Sequence, residues 1–188
     1  FKENKIRTGY TNFNVGMHFF VSDNWEEYHG VEDGRKVVRV STSCWFTNME
    51  VQKHKEYMTL YKSFSPDEYS RYVNYDAINV DKVAEIPSDY DGAMGVPVTF
   101  LDKYNPDQFE IIALGIVGSI NFSCEKKMEI LDKGKPTGKF TINAKGTLYR
   151  AYDARKDTKP PAFKNTETGE LYSSIYARII VKWKGAAQ

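Results

Sequence analysis

The side chains that could hold a metal are few and scattered: His18, His29 and His54, with Cys44 and Cys124. None of the histidines has a ligand-type partner three or four residues away, so the usual spacing of a zinc centre is missing. No metal site is expected. Nucleophilic catalysis finds little more. Cys44 lies between Ser43 and Trp45 in a strand-like run, where a thiol is far more often packed than activated. The chain has no Gly-x-Ser-x-Gly elbow, no Gly-x-x-x-x-Gly-Lys and no Gly-x-Gly-x-x-Gly. Its residues alone make no cofactor pocket. Ser88-Asp89-Tyr90-Asp91-Gly92 resembles a calcium loop at first sight but lacks the third acidic position and the distal glutamate. Asp89 and Asp91 are better suited to holding a loop through bonds to nearby amides, a loop in which Gly92 and Gly95 are expected to take unusual backbone angles.

Two features suit nucleic acid. The first is Cys44-Trp45-Phe46-Thr47-Asn48 at a strand end. Adjacent strand residues point to opposite faces, so one of Trp45 and Phe46 can pack in a core while the other flanks a site. A flat apolar side chain there can replace the stacking lost by a base turned out of a duplex. Packing of both rings is the competing account.

The second feature is charge. The net of +1 hides three unlike segments: residues 1–60 hold 8 basic and 8 acidic side chains, 61–125 hold 4 and 11, and 126–188 hold 14 and 6. Such asymmetry points to a polyanionic partner for the last segment. Its candidates are Lys126, Lys127, Lys133, Lys135, Lys139 and Lys145, followed by Arg150 and Arg155. A lysine ammonium suits phosphate, and a guanidinium can also read guanine edges. A solvated outer sheet face remains the alternative.

The elements that must position these groups are mostly strands. At 188 residues the chain has room for one domain, or one with an appendage. Its 13 Tyr, 11 Phe and 3 Trp supply enough apolar surface to exclude disorder. The longest apolar run, 111–117, contains Gly115 and falls far short of the ~20 residues of a membrane-spanning helix. Two cysteines cannot form a disulfide framework, which points to a reducing cytoplasm. Phe1 stands first with no leader after it, as expected for a piece of something longer.

Residues 5–10, 17–21 and 36–45 are β-rich, and 17–21 should pair antiparallel with 37–46 across a long polar connection around 25–32. Asp33-Gly34 is a turn signal. A polar helix is expected over 49–55, and Ser65-Pro66-Asp67-Glu68 can start a short one. Val96-Pro97-Val98-Thr99-Phe100-Leu101 reads as an edge or irregular strand, and 109–117 as an apolar strand. Strands at 140–143, 147–152 and 174–183 alternate with Gly, Lys and Pro loops. On the last, Tyr176, Arg178 and Ile180 would share one face, and Ile175, Ala177, Ile179 and Val181 the other.

An ordered series of strings resembles the second half of the EcoRI-type adenine-specific DNA methyltransferase family. It runs from Lys2-Glu3-Asn4-Lys5-Ile6 through Gly9-Tyr10, Gly16-Met17, Phe19-Phe20-Val21 and Cys44-Trp45-Phe46-Thr47-Asn48. It continues with Tyr72, Asn74-Tyr75-Asp76-Ala77-Ile78, Lys82-Val83 and Ile86-Pro87. It is strongest at Asp89-Tyr90-Asp91-Gly92, Met94-Gly95-Val96-Pro97 and Thr99-Phe100-Leu101-Asp102-Lys103-Tyr104-Asn105-Pro106, then Gln108-Phe109-Glu110-Ile111. Tyr176-Ala177-Arg178-Ile179-Ile180 resembles the family's ending, while 118–170 is only loosely similar.

The resemblance implies methyl transfer from S-adenosylmethionine to adenine N6 in duplex DNA, with base flipping, in a restriction–modification setting. It also implies that the cofactor-binding strand and the Asn/Asp-Pro-Pro-Phe/Tyr catalytic loop lie upstream. The sole Pro-Pro here, Pro160-Pro161, follows Lys159 in a polar loop. No catalytic residue is expected in this chain, and alone it should be inactive. The expected fold is α/β and β-dominated: an antiparallel or mixed portion of a methyltransferase sheet plus an irregular β-rich recognition region. Residues 1–60 would be distal strands of that sheet and 61–188 the target-recognition region, with the upstream half of the same polypeptide as a partner. A non-enzymatic DNA-binding or defence-related module is the first alternative. A β-rich sugar- or protein-binding module is the second.

Overall fold

In the computed structural model, residues 3, 5–8, 17–40, 46–50, 52–123, 125–142 and 144–185 are described. They form two units, Phe1–Tyr57 with Val98–Pro106, and Met58–Pro97 with Asp107–Gln188. The strands of the first unit are β1 (Arg7–Thr8), β2 (Met17–Phe20), β3 (Gly30–Glu32), β4 (Arg35–Val40) and β5 (Phe46–Thr47). β2 pairs antiparallel with β4, Phe20 opposite Val37, as the sequence predicts. The connection also contains β3, which returns on the other side of β4 through Asp33 and Gly34. Their φ angles of 50° and 74° are the two left-handed positions of a type I′ turn, which is why Asp-Gly stands there. β1 and β5 make a separate two-stranded ladder.

Among the described residues the second unit has nine strands. They are β6 (Ile78–Asn79), β7 (Met94–Pro97), β8 (Phe109–Leu114), β9 (Met128–Asp132), β10 (Lys135–Thr141), β11 (Leu148–Ala151), β12 (Phe163–Asn165), β13 (Leu171–Ile175) and β14 (Arg178–Trp183). One sheet runs β6-β7-β14-β8, with only the β6–β7 pair parallel. The other runs β10-β9-β12-β13-β11 and is antiparallel throughout. Tyr149 and Tyr172 meet edge-on at 5.2 Å in its core, beside Met128, Ala144 and Phe163. The protein is β-dominated.

Three local expectations are corrected. Among the described residues there is no α-helix, only short 3-10 segments, so the helix expected over 49–55 shrinks to Gln52–His54. Ser65 starts a single turn, its carbonyl accepting from the amides of Glu68 and Tyr69. Helices this short cannot recover the cost of nucleation without an apolar face to bury. The strand expected over 96–101 ends at Pro97, and Val98–Lys103 is 3-10. Phe100 and Leu101 are both buried there. Finally, 174–183 is not one strand. It breaks at Tyr176–Ala177, so that β13 and β14 serve different sheets. β14 is central, and its register with β8 shifts between Ile180 and Val181. β14 keeps regular register with β7, so Arg178 and Ile180 still share one face and Ile179 and Val181 the other, and Ile179, Ile180 and Val181 are all buried because both faces are covered.

Gly92 and Gly95 do not sit at positive φ. A Cβ on Gly95 would lie 2.2 Å from the Tyr72 hydroxyl, and one on Gly92 would lie 2.4 Å from the Tyr90 hydroxyl. These glycines are needed for close approach of a ring, not for backbone angle. Tyr72 is buried and donates to Asn79 Oδ1 at 2.9 Å. Burial pushes its phenol well above the ordinary value, so it stays a donor. Asp89 does hold a loop, accepting the Phe64 amide at 2.6 Å. Asp91 is exposed.

Candidate nucleic-acid interface

β9 and β10 form a hairpin whose tip, Lys133-Gly134, repeats the type I′ device at φ 48° and 79°. Lys133, Lys135 and Lys139 are exposed on this hairpin, and β10 is the free edge of its sheet. Lysines and a proline on an edge strand also discourage edge-to-edge pairing, and Pro136 lies between two of them. Lys127 places its Nζ 4.8 Å from the centre of the Phe140 ring, and Lys126 lies 5.7 Å from that of Tyr172. Lys145 is exposed in the turn before β11.

The two arginines are placed differently. Arg155 is exposed and bonds Asp153, its Nε 3.3 Å from Oδ1. Arg150 is buried, with a side chain only 9% exposed, and grips Asp157 through two nitrogens. Its Nη1 also donates to the Ala151 carbonyl at 3.0 Å, while its buried Nε has no hydrogen-bond partner. Asp157 accepts further bonds from Ser173 Oγ at 2.8 Å and the Asp153 amide at 2.9 Å. Burial raises the pKa of Asp157, but the bonds from Arg150, the Asp153 amide and Ser173 outweigh it. The carboxyl is held below its ordinary range.

This ion pair forms one wall of an open cavity of about 540 Å³. Lys156, Lys159 and Arg178 add positive charge to its lining, and Asp81 adds one more carboxylate. Arg178 donates to Asn79 Oδ1 at 3.3 Å and lies 3.5 Å from Asp81 Oδ1, while Asn79 Nδ2 also bonds Asp81. Both carboxylates thus have cationic neighbours. Lys156 bonds only a neutral acceptor, the Asp67 carbonyl, at 2.7 Å. The lining therefore carries net positive charge. Tyr176, 82% exposed, stands in the break between β13 and β14 and also lines it. Composition and spacing do not single out Lys156, Lys159, Tyr176 or Arg178. Arg150 and Asp157 seven residues apart, with Lys-Pro-Pro next, were the available signal.

Trp45 lies outside the described residues, as do Cys44 and Cys124. Phe46 is 53% exposed and pairs with Thr8 across the β1–β5 ladder. Arg7 anchors the chain after it, donating to the carbonyls of Asn48 and Met49 at 3.0 and 2.8 Å. Among the described residues no three His, Cys, Asp or Glu side chains gather as metal ligands. His54 is buried, its Nδ1 2.6 Å from the Tyr104 carbonyl, and His18 pairs with Glu32. No helix among the described residues is long and apolar enough to cross a membrane.

The family described as "Adenine-specific methyltransferase EcoRI" matches residues 1–184. The chain belongs to that family. It is 42% identical over 118 residues to the type II methyltransferase M.EcoRI of Escherichia coli, covering 59% of this chain and 36% of that protein. It is 38% identical over 120 residues to the type II methyltransferase M.MpnI of Mycoplasma pneumoniae, covering 60% and 37%. M.MgeORF184P of Mycoplasma genitalium is 35% identical over 120 residues, covering 60% and 38%. The matched part is less than two-fifths of each relative's length. No solved structure matches.

Methyltransferases of this kind use S-adenosylmethionine, and the cavity suits it poorly. A sulfonium cation gains nothing from a lining in which cations outnumber carboxylates. The Pro-Pro at its edge has Lys159 and Ala162 where the family's loop carries Asn or Asp and an aromatic. It offers no side-chain oxygen there to accept the hydrogens of an adenine N6.

Proposed function

We propose that this chain is the C-terminal part of an adenine-specific N6 DNA methyltransferase of the cytoplasm. It would complete the enzyme's sheet and grip duplex DNA, while the upstream half supplies the S-adenosylmethionine site and the catalytic Pro-Pro loop. Alone it would transfer no methyl group. The family match over residues 1–184 carries this reading. Exposed apolar side chains of the first unit support the sheet-completing role. Phe19 and Val31 share a face of the β2-β4-β3 sheet and are 43% and 59% exposed, and Trp25 and Met49 add 52% and 72%. Solvent rarely meets so much apolar surface unless a partner covers it.

The DNA grip rests on Lys126, Lys127, Lys133, Lys135, Lys139, Lys145 and Arg155, all exposed. Arg150 stays with Asp157 as a structural support, since its guanidinium is already used. Each phosphate contact releases a counterion, so log affinity falls with log salt by about 0.9 per contact. Replacing Lys133, Lys135 and Lys139 by Gln should reduce that slope by about 2–3 and weaken all duplex sequences alike. An unchanged slope would remove the hairpin from the interface and leave edge protection as its role.

Trp45 or Phe46 is the platform on which the flipped adenine stacks. Alanine at the correct position should cost about 1–3 kcal/mol of flipped-state stability. With 2-aminopurine at the target, the wild-type enzyme should give the bright signal of an unstacked base and the variant a dimmer one. Full brightness and full methylation in both single variants would refute this role.

A further inference from the structure

We infer that the cavity between Arg150, Lys159 and Tyr176 receives one unpaired nucleotide of the bound DNA, a nucleotide other than the adenine that is methylated. The inference rests on the DNA-binding reading above and goes beyond it. A phosphate in an intact duplex is reached by protruding side chains, such as those of the β9–β10 hairpin. A recess of about 540 Å³ is instead the size of a small-ligand site, with room for a base, sugar and phosphate together.

Its chemistry is divided the way a nucleotide is. Lys156 and Lys159 bring positive charge that no carboxylate bond is shown to take up, and Arg178 is held in place by Asn79. Thr158 adds a hydroxyl that can donate to phosphate oxygens or base edges. The Asp157 carboxylate would repel a phosphate, but Arg150, Ser173 and the Asp153 amide already occupy it. Tyr176 supplies an exposed ring at the same recess, and base–aromatic stacking is worth about 1–3 kcal/mol without regard to sequence. Pro160, Ala162 and Ile175 give an apolar surface for the rest of the nucleotide.

The nucleotide is not the methylated one, because the Lys159-Pro160-Pro161-Ala162 edge lacks the groups that methyl transfer to N6 requires. Turning a base out leaves its neighbours or its former partner without a stacking position. A second recess that accepts such a base lowers the cost of keeping the duplex open.

The test compares two labelled duplexes of one sequence, with and without a single unpaired thymine, binding the intact protein at fixed salt. The duplex with the unpaired base should bind about tenfold tighter, a difference of about 1.4 kcal/mol. Tyr176→Ala should abolish that preference while leaving affinity for the paired duplex unchanged, and Lys159→Gln should reduce it. Tyr176 is solvent-facing, so its loss leaves the fold intact. Equal binding of both duplexes, or a preference that survives Tyr176→Ala, overturns the inference but leaves the DNA-binding reading standing. Failure to bind either duplex overturns that reading and the inference with it.

Discussion

Arg150→Met is expected to lower the unfolding free energy by about 3–5 kcal/mol, the cost of leaving one member of a buried ion pair without the other. The guanidinium is 9% exposed and the Asp157 carboxylate 10%, so water cannot replace the missing partner. Asp157→Leu should be comparably damaging for the same reason, since it strands a buried cation. Removing both charges together should recover most of the loss, because apolar side chains need no compensating bond. Denaturant unfolding of the four proteins gives the coupling directly. Additive losses would show that the two groups do not depend on each other.

The pair also fixes a pH dependence. Asp157 has its folded pKa held below the unfolded value, so its contribution is fully present above the ordinary aspartate range. It declines as pH falls from that range through the lower folded value. Stability of wild type should therefore drop on the acid side more steeply than that of the double variant. Above about pH 5 the two should run parallel.

Gly95→Ala is the second large effect, with an expected loss of about 3 kcal/mol, toward the top of the range for overpacking. The added methyl would stand 2.2 Å from the Tyr72 hydroxyl and 2.8 Å from two of its ring carbons. Tyr72 cannot simply swing away. Its ring is buried against Ala77, Leu148, Ile175 and Ile180, and its hydroxyl is bonded to Asn79. Tyr72→Phe alone should cost about 1 kcal/mol for the lost hydrogen bond. In the Gly95→Ala background the same change should cost less or stabilise, since it removes the closest clash. Thermal unfolding of both backgrounds checks the sign. A larger cost of Tyr72→Phe in the Gly95→Ala background than in wild type would contradict this packing.

Much of this arrangement was legible where a single local rule decides. Asp33-Gly34 signalled a turn, and the alternating run before Cys44 paired with 17–21 as expected. The β-dominated class followed from the same patterns. The failures share a cause, which is tertiary context. β9 and β12 were hidden in a lysine-rich stretch whose apolar residues, Met128, Leu131 and Phe163, are too few to show a period. β14 alternates as expected, but both of its faces are covered, so it buries three successive residues. Arg150 looked like one more cation of a basic segment. Only its partner Asp157, brought into place by the turn at Asp153, makes it structural. Gly95 shows the same limit: the sequence suggests a special backbone angle, whereas the fold needs room for Tyr72.

In the proposed function this chain is part of an enzyme that methylates adenine at N6 in duplex DNA. The direct measurement incubates the protein, with its upstream half present, with duplex DNA and S-adenosylmethionine carrying a labelled methyl group, then separates the nucleosides of the digested DNA. The label should appear in N6-methyldeoxyadenosine. Label in a methylated cytosine, or none in DNA at all, would contradict that claim.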